Sequence, residues 1–289
     1  MLTLFNIALD GVAYGMILFM IAVGLSVTMG LMRVINLAHG GFALVAGAIA
    51  HWLIVDRGLG YVSAVALAVA LAIVLAVVLE RILYRGIYRM GELQQVLATI
   101  GITFLMIASV NFLLGSSILA IPLPEAMRGS VAIGPRTLPV HRVYVIVVGC
   151  LVLAALHVLI ERTRFGIALR AAVDNRDTAA SIGINTSRIF AAAFALGAAL
   201  AGLGGILGAE LLPIDANYPL RLMVLFLVVV AVGGLGSIGG SFVAALGLGT
   251  VETAARYLAP GLGTILFYGV MVAVLTWRPG GLFGRLRDA

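Results

Sequence analysis

The sequence predicts an all-α fold, a polytopic bundle of about eight to nine transmembrane helices, some broken or re-entrant, forming a single domain over residues 1–289. Three observations carry this. Hydrophobic residues make up 63% of the chain and charged ones only 10%, against roughly a quarter in soluble domains. Mean hydropathy is +1.19. The apolar residues fall into runs near the length of about 20 that a helix needs to cross a bilayer, and the short loops between them leave no room for a separate soluble domain.

Taken in order, the first span covers about residues 9–31, and the second, 41–55, is short and rich in Gly and Ala. RVINLAHGG (33–41) lies between them. The third run, 61–79, ends in ERILYRGIYR, and the fourth covers 93–115. A loop bearing Pro122, Pro124, Pro135 and Pro139 follows over 116–142. The fifth run (143–160) leads into the longest charged and polar stretch, residues 161–188, and the sixth (189–212) follows it. After a short loop come 222–232, the segment GGLGSIGG (233–240), a further run to 257, and a last span at 262–277 closed by RPGGLFGRLRDA.

Orientation follows from Arg placement, because cytoplasmic loops carry the excess of positive charge. With 161–188 inside, twelve Arg fall on that side and six outside, giving nine runs with the N-terminus outside and the C-terminus inside. The weak points are 41–55, barely long enough to cross, and the pair flanking 233–240, which is alternatively a re-entrant hairpin. The first run lacks the positive start and cleavage site of a secretory signal, so it is expected to remain as a span. Small-x-x-x-small spacings at Gly11–Gly15, Gly197–Ala201 and Gly204–Gly208 favour close helix packing. HGGFALVAGA and IGGSFVAALG also echo each other, each placing Gly-Gly before a small-residue helix, as broken helices at matching positions would.

Composition excludes several functions. All eighteen basic residues are Arg, against twelve acids, and no Lys occurs. A Walker A loop needs Lys to reach nucleotide phosphates, so ATP drive by that route would have to come from a partner. The basic balance reflects orientation in a bilayer, not nucleic-acid binding. His39, His51, His141 and His157 show no metal-ligand spacing, paired carboxylates are lacking, and the lone Cys150 offers no disulfide or redox motif. The expectation is neither an enzyme nor a metal protein. Asp10, Glu210 and Glu252 sit near run edges, which favours pairing with Arg over a proton relay.

The stretch 161–188 is the one soluble-looking surface large enough to dock a partner. Asp174 suits an N-cap, Asp177 adds an acid near the positive helix end, and Gly183 suits a C-terminal stop. A helix over 175–182 would be about 12 Å long. It would present Ala179, Ala180 and Ile182 beside Arg176 and Asp177, a small apolar face rimmed by charge. The alternative is a solvated loop whose Arg residues only set topology.

RAAVDNRDTAASIGINTSRIFAAAFALGAALAGLGGIL closely resembles the corresponding region of permease subunits of branched-chain amino acid ABC importers. RVINLAHGG, LERILYR, LATIG, VVVAVGGLGSIGG and RPGGLFG match in order, so the resemblance covers essentially the whole chain. It implies a subunit carrying branched-chain or related hydrophobic amino acids inward across the bacterial inner membrane by alternating access. Two ATP-binding subunits, a second related permease subunit (as heterodimer or homodimer) and a periplasmic binding protein would be its partners, with ATP and Mg held by the ATPases and no cofactor on this chain. The helix after Asp174 would be the coupling helix seated on an ATPase, with Arg170, Asp174, Asn175, Arg176, Asp177, Ala179, Ala180, Ile182 and Gly183 at that contact. Relatives also import urea, short amides and other amino acids, and the loop 116–142 carries no recognisable specificity signature. An autonomous secondary carrier and a structural subunit of a membrane complex are the rival readings.

For the translocation path the candidates are Asn36, His39 and Gly40, then Gly233, Gly234, Gly236 and Gly239. Asn36 and His39 form a polar pair that either lines the path or ties the backbone between two spans. The later glycines are read as a helix break facing the inner part of the path, with a tight turn as the alternative.

Overall fold

The computed structural model describes residues 2–32, 36–133 and 136–284. Arg33, Pro135, Arg285 and Arg287, used above for orientation and loop reading, lie outside the described residues. The helices are α1 (Leu2–Met32), α2 (His39–His51, extended by a π turn Trp52–Asp56), α3 (Tyr61–Leu79), α4 (Glu92–Leu114), α5 (Val140–Arg162), α6 (Arg164–Asp174), α7 (Arg176–Ser181), α8 (Thr186–Gly208), α9 (Tyr218–Gly233), α10 (Ile238–Leu258) and α11 (Gly263–Trp277). Among the described residues seven helices are long and apolar enough to cross a membrane, and α9 and α11 are shorter apolar helices. The expected all-α polytopic bundle is therefore present.

The first helix is the hub. Its most apolar window is 89% buried, and it packs on α10, α8, α5 and α9. Glycine makes this possible, because a Cβ at Gly24 would lie 2.6 Å from the Gly197 carbonyl of α8, and one at Gly11 would lie 2.8 Å from Thr250 Cα of α10. The predicted small-residue spacings thus sit where backbones meet.

Two ends of the bundle are distinguishable by their contacts. Val27 of α1, Ile160, Leu169, Ala193 and Ile238 cluster where α5 meets α6, which defines the handle end. At the other end Asp10 pairs with Arg142 and accepts a hydrogen bond from Tyr257 at 2.6 Å, while His141 Nδ1 lies 2.6 Å from Glu210 Oε2. The third of these acids, Glu252, pairs with Arg256 four residues on. Asp10 and Glu252 thus have the Arg partners expected of edge acids.

Helices α3, α4 and α5 are peripheral, with under a third of each apolar window buried. On α3 the inward strip is Ala64, Ala68, Ala72, Ala76, Glu80 and Tyr84, one residue in four. Four residues overshoot an α-helical turn of 3.6, so such a strip drifts around the helix. A π turn, Glu80–Tyr84, widens the spiral and keeps Glu80 and Tyr84 inward, after which a last turn, Arg85–Ile87, completes the span. ERILYRG, read from sequence as the end of the third run, is therefore helix. The loop expected over 116–142 contains an antiparallel strand pair, β1 (Ser130–Ile133) with β2 (Arg136–Pro139).

Candidate coupling and translocation site

The handle is two helices, not one. Thr163 caps α6, its hydroxyl accepting from Gly166 N at 3.3 Å. Gly166 lies so close to α5 that a Cβ there would collide with the Ile160 carbonyl. Arg170 donates to that same carbonyl, and at 3.3 Å to Glu161 Oε2, so it satisfies an end group of α5 while clamping α6 across it.

The second handle helix, α7, is six residues long, shorter than the predicted 175–182. Its cap is Asn175 in place of the expected Asp174, which closes α6; the Asn175 side chain accepts from Thr178 N at 2.9 Å. Gly183 stops it as expected, with φ +88°, donating to Ala180 O while Ile184 N donates to Ala179 O, both at 3.0 Å. Ala179 departs from the predicted exposed face, being buried against Ala172 and Phe190. A six-residue helix cannot stand alone, and the small methyl lets it lie flat on its neighbours. Arg176 covers the Phe190 ring at 5.3 Å. Ile182, 71% exposed, and Ile167 of α6, 60% exposed, are left as outward apolar groups, with Asp177 and Ala180 also exposed.

Asn36, His39 and Gly40 come together at the junction of α1 and α2. The Asn36 carboxamide oxygen accepts from Ala38 N at 3.1 Å and from the Tyr84 hydroxyl at 2.9 Å. Leu37 N donates to Thr99 Oγ1 at 3.2 Å, and Thr103 Oγ1 donates to Leu37 O at 3.3 Å. Side chains therefore satisfy the backbone where the helix breaks, as burial demands. His39 is 1% exposed, with Nε2 2.8 Å from Ile21 O, which makes that nitrogen the donor, and its ring meets Phe226 edge-on. A Cβ at Gly40 would lie 2.8 Å from Pro219 O, so this glycine lets the start of α2 cross the start of α9.

The glycines 233–240 lie elsewhere, at the turn joining α9 to α10, about 10 Å along α9 from Phe226. Gly234 and Gly236 take φ of +98° and +80°, and Ser237 caps α10 by accepting from Gly240 N at 2.9 Å. The segment 278–284 folds over this turn, with Leu282 N donating to Val232 O and Phe283 N to Gly233 O. Among the described residues no group of three His, Cys, Asp or Glu is placed to hold a metal.

Tyr84, Phe194, Thr99 and Thr103 were not singled out from sequence. Tyr84 is fully buried, its ring 4.4 Å from Phe194, which also meets Phe42. The readable signal was the four-residue strip of α3, in which Tyr84 takes the place of an Ala. Close by, burial pushes the Tyr88 hydroxyl well above its ordinary range, with Glu80 adding to the shift and Arg176 and Arg85 opposing it.

Seven long apolar helices, two shorter ones and a capped polar hairpin at one end define a multi-pass helical membrane protein. The chain belongs to the family described as branched-chain amino acid transport system, permease component, whose model matches residues 7–275. It is 27% identical over 295 residues to the high-affinity branched-chain amino acid transport system permease protein LivH of Escherichia coli, covering 96% of this chain and 94% of the relative. It is 28% identical over 289 residues to BraD of Pseudomonas aeruginosa, a permease protein of the same description, at the same coverage. A probable branched-chain amino acid transport permease of Methanocaldococcus jannaschii is 34% identical over 143 residues, covering 46% of this chain and 45% of the relative. No solved structure matches.

Proposed function

We propose that this chain is the membrane-translocating subunit of an ABC importer for branched-chain or related hydrophobic amino acids in a bacterial inner membrane. The names of its relatives support the substrate class. Two separate ATP-binding subunits supply the drive, holding ATP and Mg, and a second related permease subunit and a periplasmic binding protein complete the complex. The observation that carries the reading is the handle. It is clamped to α5 through Arg170 and to α8 through Ala179, yet it presents Ile167 and Ile182 outward. Exposed isoleucines on a charged hairpin that is held to the bundle suit docking into a partner and transmitting its movement. The absence of Lys agrees with a drive that lies outside the chain.

The test is reconstitution in proteoliposomes with the ATPase, the second permease and the binding protein. Uptake of leucine, isoleucine or valine is expected only with ATP and all partners present. Ile182→Glu, which places a charge in the docking face, is expected to lower co-purification with the ATPase by tenfold or more, about 1.4 kcal/mol or above, with membrane insertion intact. Gradient-driven accumulation by this chain alone would overturn the proposal.

A further inference from the structure

Between the handle and the junction of α1 with α2 lie two groups of contacts joined by one turn of α8. Arg176, the first residue of α7, lies over Phe190 of α8. Four residues on, Phe194 occupies the same face of α8, where its ring meets that of Tyr84 at 4.4 Å. Tyr84 then donates to Asn36 at 2.9 Å, and Asn36 holds the turn by accepting from Ala38 N. The π turn Glu80–Tyr84 ends on this tyrosine, and π turns are frequent at functional sites. Tyr88, four residues on from Tyr84, has its ring 6.2 Å from that of Tyr84.

The hydroxyl of Tyr84 is more than packing requires. At this fully buried position Phe would fill the same space and leave no polar group to satisfy. What the hydroxyl adds is a directed bond to Asn36, whose side chain also accepts from Ala38 N at the break. Asn36 in turn stands three residues before His39, whose imidazole ties α2 to α1 at Ile21.

We propose that Tyr84 is a positioning residue for transport, linking the handle through Phe194 to the α1–α2 junction through Asn36, so that displacement of α7 reaches the helix break. The proposal rests on the importer reading above. Close-packed aromatic rings transmit a shift because the interior has little free volume to absorb it, and the terminal hydrogen bond gives that shift a direction.

The experiment uses the full complex in proteoliposomes and reads amino acid transported per ATP hydrolysed. Tyr84→Phe keeps the ring and is expected to melt within about 2 °C of wild type, since it loses one neutral hydrogen bond. Its transport per ATP is expected to fall about fivefold, the population change that such a bond controls. Phe194→Leu, which breaks the route one step earlier, is expected to lower the ratio similarly. Arg176→Ala combined with Tyr84→Phe is expected to be no worse than the stronger single variant, because both cut one line. Arg176 and Tyr84 lie on different helices with Phe190 and Phe194 between them, so independent structural defects would multiply instead. An unchanged ratio in Tyr84→Phe, or multiplying effects in the double variant, overturns the proposal while leaving the importer reading standing. A wild-type complex without ATP-driven uptake would remove that reading, and this one with it.

Discussion

Gly24→Ala tests the packing on which the whole bundle depends. The added methyl would lie 2.6 Å from the Gly197 oxygen, 2.8 Å from His39 Cε1 and 2.9 Å from Gly197 Cα. Two of these are backbone, and the third belongs to a ring held by Ile21 O, so no rotamer change relieves the clash. Ordinary contact begins near 3.4 Å, so α8 would have to retreat by about 0.8 Å along a close-packed seam. Overpacking of this kind costs roughly 1–3 kcal/mol. The same substitution at Gly247 of α10 meets nothing within 4 Å, and there the better helix propensity of Ala is worth up to about 1 kcal/mol. Both sites are helical and share that gain, so the two variants should differ by the overpacking cost, about 1–3 kcal/mol, with Gly247→Ala the more stable. Reversible unfolding in mixed detergent micelles measures the difference. If Gly24→Ala proves as stable as Gly247→Ala, the close approach of α1 to α8 is refuted.

Two further predictions concern the handle. Arg170→Ala removes the donor to the Ile160 carbonyl and is expected to raise the rate of trypsin cleavage after Arg176 about tenfold, the effect of loosening local structure by about 1.4 kcal/mol. An unchanged cleavage rate would show that Arg170 clamps nothing. Ala179→Glu would push a carboxylate between Ala172 and Phe190 and should release α7 to protease, whereas Ala180→Glu, on the exposed side, should leave the cleavage pattern as in wild type. Equal patterns for the two variants would contradict the burial of Ala179.

The spans were legible because each is a contiguous apolar run, a property of neighbouring residues that needs no tertiary information. The Gly183 stop was legible for the same local reason. Ala179 was not. Whether an Ala on a six-residue helix faces water or protein depends on α6 and α8, and the α6 helix was itself hidden among charged residues that gave no run to notice. Glu80 and Tyr84 were missed because a polar residue after an apolar run reads as its end. Only the four-residue spacing from Ala64 onward shows that the inward face continues through them. The chemistry at Asn36 and His39 was half visible. Their polarity at depth marked them, but the partners Tyr84 and Ile21 stand 48 and 18 residues away along the chain.

The burial of α1 has a consequence for how the molecule is made. Ribosomes deliver the chain from its start, so the helix destined for the centre enters the bilayer before any of its neighbours exist. Its glycine grooves at Gly11, Gly15 and Gly24 must face lipid until α8 and then α10 arrive. A stretch without charge, as 11–29 is, tolerates that wait, since acyl chains solvate its apolar side chains as readily as protein does. Biogenesis thus ends with an exchange, in which lipid leaves the seams of the first helix as the later ones close over it.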